Sequence, residues 1–193
     1  MKKLLITGFE PFGGESINPS LEAVFRLPSV IGDYEIFKLG LPVVFGEAYE
    51  TALAEAERIR PDAIICVGQA GGRDAITPEL VAINLRYADI PDNKGNLPKD
   101  TPVIEGDDLA YFSTLPVRKM AEAIKENGIP ARLSYTAGDY VCNDLLYSLL
   151  SHFKGSEVGV CFIHIPYCTE QNKEPSMELE KIVKGLTVAI ETI

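Results

Sequence analysis

Two apolar runs limit the folds open to this chain. Ala63-Ile64-Ile65-Cys66-Val67 and Val158-Gly159-Val160-Cys161-Phe162-Ile163 lack the two-residue alternation of a strand with one wet face. Both therefore read as strands buried on two sides, as central strands are when helices cover both faces of a sheet. Around them, short apolar runs alternate with longer segments of helical period. Strands are expected at Lys2–Thr7, Tyr34–Leu39, Ala63–Val67, Leu80–Arg86, Ala131–Tyr135 and Val158–Ile165, and helices at Pro19–Arg26, Gly46–Arg60, Pro116–Asn127, Tyr140–His152 and Ser176–Glu191. That alternation is the mark of an α/β sheet wrapped on both sides. The 193 residues are read as one domain, 1–193. The stretch from Tyr87 to Asp107, rich in Pro, Asp, Asn and Gly, is long for a loop, and loops of that length are often functional or make contacts between subunits.

A net charge of −10 argues against a nucleic-acid partner and against an anionic membrane surface, both of which select basic faces. No apolar run approaches the ~20 residues that span a bilayer. The opening MKKLLITGFEPFGG has only a few apolar residues before a Gly/Pro turn, which fits a first strand rather than a signal peptide, so the expected location is cytoplasmic. Four cysteines without framework spacing read as reduced thiols.

Ligands of such sheets bind beyond the carboxyl ends of the strands. Four segments follow directly on expected strands: GFEPFGG (8–14), GQAGGRDAITPE (68–79), TAGDYVCN (136–143) and HIPYCTEQ (164–171). In the third, Asp139 suits an N-cap, placing Cys142 in the first helical turn, where free N–H groups and the helix dipole favour a thiolate. A nucleophilic thiol needs a base. His152 ends the same helix, about 15 Å from Cys142 at ~1.5 Å per residue, and is out of reach. His164 ends a buried strand just before Pro166, at the expected rim. Glu79, after a glycine-rich turn, is the candidate to orient the imidazole, with Asp139 and Asp144 as weaker competitors.

Cys161, His164 and Cys168 have zinc-binding atom types, but positions three apart on a strand face opposite sides, so no metal is expected. The glycine runs match no nucleotide-binding fingerprint. Phe9 and Phe12, three apart on a Pro-containing turn, are placed to clamp a flat apolar ligand.

Taken together, TGFEPFGG with Asn18-Pro19-Ser20, VGQAGGR with ITPE and AIN, IPDN-x-G, SYTAG-x-YVCN, and HIPY with a following Gln resemble the pyroglutamyl peptidase I family, the pyrrolidone-carboxylate peptidases. The resemblance runs from residue 4 to about residue 177. It implies a three-layer α/β/α sandwich with a mostly parallel twisted central sheet, usually assembled as a homotetramer. It also implies a cysteine exopeptidase that removes an N-terminal pyroglutamyl residue from peptides without metal or cofactor. Carried over motif by motif, the nucleophile is Cys142, the base His164 and the acidic member Glu79. The substrate pocket is Phe9, Phe12, Asn18, Gln69, Ile90, Tyr140 and Val141. One departure stands out: where the family commonly reads A-R-I-P-D-N, this chain has Asp89, an anion in place of a cation. Arg86, three positions earlier, is the nearest substitute. Two other readings stay open at this point: a nucleoside phosphorylase or hydrolase on a similar sheet, and a pyroglutamyl-binding homologue impaired in turnover by the change at Asp89.

Overall fold

The first apolar run forms strand β1, Lys2–Phe9, which pairs in parallel with β3, Tyr34–Leu41, on one side and β4, Ala63–Gln69, on the other; the computed structural model describes residues 1–193. β8, Gly159–Ile165, continues the parallel set beside β4. Both edges are short and antiparallel: β2, Val30–Ile31, on β3, and β5, Thr77–Glu79, on β8. The order is β2-β3-β1-β4-β8-β5. From β1 the chain builds outward to β3 and then returns to β4 on the other side. The crevice between the carboxyl ends of β1 and β4 is therefore the switch point at which such sheets bind ligands.

Helices α2, Glu47–Ile59, and α4, Val141–His152, cover one face; α1, Pro19–Arg26, α3, Val117–Glu126, and α5, Leu179–Ile190, cover the other. Successive strand residues feed the two layers in turn. Ile64, Cys66, Val160 and Phe162 pack with Ala48, Ala52, Leu145 and Leu149 under α2 and α4. Ile65, Val67, Cys161 and Ile163 pack with Met120, Ile124, Ile182 and Leu186 on the far side. Ala63–Val67 and Val160–Ile163 are thus buried throughout, each large side chain contributing about 1.5–3 kcal/mol. The result is the expected α/β/α arrangement with a mostly parallel sheet.

Two expected strands take another form. Ala131–Tyr135 makes only isolated bridges, Ile76 to Ala131 and Glu79 to Ser134. The hydrogen bonds Ile76 N–H to Pro130 O, Arg132 N–H to Ile76 O, Ser134 N–H to Pro78 O and Leu80 N–H to Ser134 O follow a parallel ladder, but Pro78 has no N–H for its rung. Leu80–Arg86 is also interrupted. Thr77–Glu79 joins the main sheet, while β6, Val81–Ile83, pairs with β7, Ala110–Phe112, in a separate ribbon. Beyond β6 a side chain supplies the backbone partners: Asn143 of α4 accepts from Ile83 N–H and donates to the carbonyls of Ile83 and Leu85. Ser176–Met177, expected as helix, is strand β10, beside β9, Tyr167–Cys168.

The 87–107 stretch is held by Asp92, whose carboxylate accepts the N–H groups of Phe45, Lys94 and Asn96. No helix is long and apolar enough to cross a membrane. All four cysteines are unpaired.

Candidate active site

His164 sits one residue from the carboxyl end of β8, and its register partner on β4 is Gly68. Register partners in a parallel ladder direct their side chains to the same face, with strands about 4.8 Å apart. A β-carbon on Gly68 would stand 3.0 Å from the Cys142 sulfur and 2.7 Å from the Phe162 ring. The absence of that carbon lets the first turn of α4 press its thiol onto the sheet. Cys142 and His164 therefore lie over neighbouring strands on one face, the face packed by α4.

β5 brings the third group. Thr77 and Glu79 are register partners of His164 and Phe162, so both side chains also point to the α4 face. Glu79 is fully buried, and its Oε1 lies 2.7 Å from His164 Nδ1 and 2.6 Å from Arg73 Nη1. Arg73 also donates to Thr77 Oγ1 at 2.5 Å. Since a carboxylate only accepts, Nδ1 carries the proton and Nε2 is left free.

Burial holds the His164 imidazole below its ordinary value, with the Arg73 charge acting the same way and Glu79 opposing. Burial likewise pushes the Cys142 thiol up to about 12, helped by the negative charge of Glu79 and opposed by Arg73. This runs against the expectation of an easily ionised thiol, because burial disfavours the thiolate. Both shifts favour the uncharged forms, thiol at Cys142 and imidazole at His164. The helix start is also corrected. Tyr140, in extended backbone, is the N-cap and its side chain caps nothing. Asp139 lies one residue earlier, so the first-turn N–H groups keep their donor capacity.

A cavity of about 50 Å³ opens beside the sulfur, lined by Phe9, Phe12, Asn18, Val43, Gln69, Tyr140, Val141 and Cys142. At about 10–15 Å³ per water position it has room for roughly three to five, the scale of one small ring. Phe9 is buried against Phe162, with centroids 6.4 Å apart, and Phe12 faces Tyr140 at 6.4 Å. Asn18 lines the cavity but its amide is spent internally: Oδ1 caps α1 through Ser20 N–H at 3.1 Å, and Nδ2 donates to Glu10 O at 3.0 Å. Gln69 accepts from Gln171 Nε2 at 2.9 Å. Of the expected pocket residues only Ile90 stands apart, 53% exposed and outside the cavity lining. Val43, which carried no signal in the sequence, takes a place in the wall.

Other candidates fall elsewhere. Asp144 is buried, binding Gly46 N–H and Arg86, so Arg86 is spent on it rather than on Glu79. Asp89 is on the surface with Tyr87 and Lys99. His152 contacts Tyr49 at the far end of α4 and borders a larger depression, about 380 Å³, that holds no nucleophile. Cys161 packs in the far-side core while His164 faces α4, so the two face opposite sides of the sheet.

A family model described as pyroglutamyl peptidase matches residues 2–193. The chain belongs to the pyroglutamyl peptidase family. It is 48% identical to the pyrrolidone-carboxylate peptidase of Brevibacillus brevis, covering all of this chain and 93% of that one. To pyrrolidone-carboxylate peptidase 1 of Streptococcus pneumoniae it is 50% identical, covering 99% and 92%. The crystal structure of Bacillus amyloliquefaciens pyroglutamyl peptidase I superposes with a TM-score of 0.96 at 46% identity, covering 100% of this chain and 96% of that one. The activity of the pyroglutamyl peptidase family, removal of an N-terminal pyroglutamyl residue by a cysteine peptidase, is the activity of this chain. The nucleoside-phosphorylase reading is thereby set aside.

Proposed function

We propose that Cys142 is the nucleophile of this hydrolysis, His164 its general base and acid, and Glu79 the carboxylate that fixes the imidazole. The single observation carrying this reading is the placement of the Cys142 sulfur over Gly68, the register partner of His164, whose Nδ1 is held by Glu79. The cavity between Phe9, Phe12, Tyr140, Val43 and Val141 takes the lactam ring. A pyroglutamyl end is neutral, so apolar walls suit it. Gln69 answers the lactam's polar atoms, which burial would otherwise leave unpaired at a cost of about 1–3 kcal/mol.

The steps follow from the resting protonation. As the sulfur bonds to the carbonyl carbon that follows the ring, its proton passes to His164 Nε2. The carbonyl oxygen becomes an oxyanion within reach of the uncapped first-turn N–H groups of α4. Collapse breaks the C–N bond, and His164 Nε2 protonates the departing amine. Water then attacks the thioester, giving one proton to His164; the thiol regains it as pyroglutamate leaves.

The same reading assigns a cytoplasmic location, supported by four unpaired thiols, and a homotetramer. Assembly is supported by the exposed apolar side chains of Ile90, Leu97, Leu109 and Phe112 along the 87–112 stretch. Release of a fluorophore from a pyroglutamyl amide tests the chemistry. It is expected to stop with iodoacetamide and in Cys142→Ser, while that variant keeps the wild-type melting curve.

A further inference from the structure

We infer that Arg73 is a positioning residue for the hydrolysis: anchored on Thr77, its guanidinium holds the Glu79 oxygen that receives the His164 Nδ1 proton. The inference rests on the roles proposed for Cys142, His164 and Glu79 and extends them to a residue outside that set.

The requirement comes from burial. Glu79 is 0% exposed, and a carboxylate buried in such a place without a cation beside it is costly. A carboxylate displaced from its cation loses its hold on Nδ1, and with it the tautomer that leaves Nε2 free. Arg73 is the one cation of a Lys or Arg side chain paired with Glu79. Glu79 Oε2 has no partner at all, so Oε1 carries the whole burden, taking Arg73 at 2.6 Å and His164 at 2.7 Å. The guanidinium is itself fixed, because Nη1 also donates to Thr77 Oγ1 at 2.5 Å. Thr77 in turn donates weakly to the His164 carbonyl at 3.4 Å. Arg73, Thr77, Glu79 and His164 thus form one closed circuit.

The glycine run before Arg73 is built for this approach. Gly71 lies so near Tyr167 that a β-carbon would stand 2.1 Å from its hydroxyl oxygen, and Gly72 adopts φ +83°, a left-handed backbone suited to glycine. The turn closes through Arg73 N–H to Ala70 O, returning the side chain toward β5. GQAGGR, which fits no phosphate loop, is thereby accounted for. So is Asp89. It pairs with Tyr87 and Lys99 on the surface, and the cation that serves Glu79 comes from another loop.

The charged groups acting on the imidazole are Glu79 from β5 and Arg73 from the β4–β5 turn, and the same two act on the Cys142 thiol together with Cys66 from β4. Only Arg73 is positive among them, and its charge lowers both His164 and Cys142. Its removal therefore raises the imidazole value, and the acidic limb of kcat/KM moves to higher pH.

Arg73→Gln, Arg73→Lys, Cys142→Ser and the wild-type chain are assayed with a fluorogenic pyroglutamyl amide across pH, with melting curves recorded for each. Arg73→Gln is expected to lose on the order of 10²-fold in kcat with little change in KM, less than the ~10⁴-fold lost when the orienting acid of a triad is itself disabled. Its acidic limb is expected to move upward, and Arg73→Lys to restore the wild-type limb and much of the rate. Should Arg73→Gln fail to fold, Arg73→Met, which keeps the packing of the stem, is read in the same way. Wild-type kcat without Arg73, a loss that leaves the limb unmoved, or equal damage in the Gln and Lys variants would each overturn the inference. Loss of activity in Cys142→Ser reports on the nucleophile separately, so failure at Arg73 leaves that reading standing. An active Cys142→Ser variant overturns both.

Discussion

The Cys142 sulfur occupies the space that a side chain on Gly68 would fill, 3.0 Å from the ideal β-carbon position. β4 carries glycine at the position opposite His164, which leaves room for the thiol on that face of the sheet. Gly68→Ala forces the new methyl against both the sulfur and the Phe162 ring. A displacement near 1 Å costs up to about 10²-fold in rate. A kcat roughly 10- to 100-fold lower, with substrate affinity largely kept, is the expected result in steady-state assays. Wild-type kcat in that variant would mean the sulfur works from another position.

The two aromatic residues of the GFEPFGG turn differ in burial, and their truncations are expected to separate. Phe9 is 3% exposed and packs on Phe162, so Phe9→Ala removes core and costs about 3–5 kcal/mol of stability. Phe12 is half-buried at the cavity mouth. Phe12→Ala is expected to raise KM on the order of tenfold, the equivalent of about 1.4 kcal/mol, with little change in melting. Denaturant titration and Michaelis kinetics on the pair check this. Equal effects of both on stability alone would remove the clamp.

The pH dependence follows from two shifts. As the proposed base, His164 acts when neutral, and burial lowers it from 6.5, so activity is expected to be lost only as pH falls through a value below the ordinary imidazole range. The acidic limb of kcat/KM is expected under 6.5, with a plateau at neutral pH. Cys142, pushed up to about 12, stays a thiol through the mildly alkaline range. Ultraviolet difference spectra between the wild-type chain and Cys142→Ser are expected to show no thiolate there. A thiolate signal at neutral pH would point to a preformed ion pair instead.

Much of this was legible in the sequence, where the signal was periodic or positional. The runs around Ile64 and Phe162 announced a buried parallel sheet, and the rim rule brought Cys142, His164, Glu79, Phe9 and Phe12 toward one end of it. The misses have local causes. Ala131–Tyr135 reads as a strand until Pro78 removes a rung from its partner, and Leu80–Arg86 gives up its ladder to the Asn143 side chain. Asp139 is a good cap by composition, yet Tyr140 sits at the helix start. The thiol's environment was misjudged because burial depends on packing that residue spacing does not encode. Arg73 has no role assigned from the sequence, and only the fold reveals that it meets Glu79. Ile90 is 53% exposed outside the cavity, a placement of its loop that residue spacing does not encode.

The most direct test is to trap the acyl-enzyme. The wild-type chain is mixed with an activated pyroglutamyl ester, quenched in acid within the first turnover, digested and mapped by mass spectrometry. The account predicts one pyroglutamyl group, labile to hydroxylamine, on the peptide that contains Cys142, and none after prior alkylation of that residue. A pyroglutamyl group on any other side chain, or full hydrolysis by enzyme alkylated at Cys142, would contradict it.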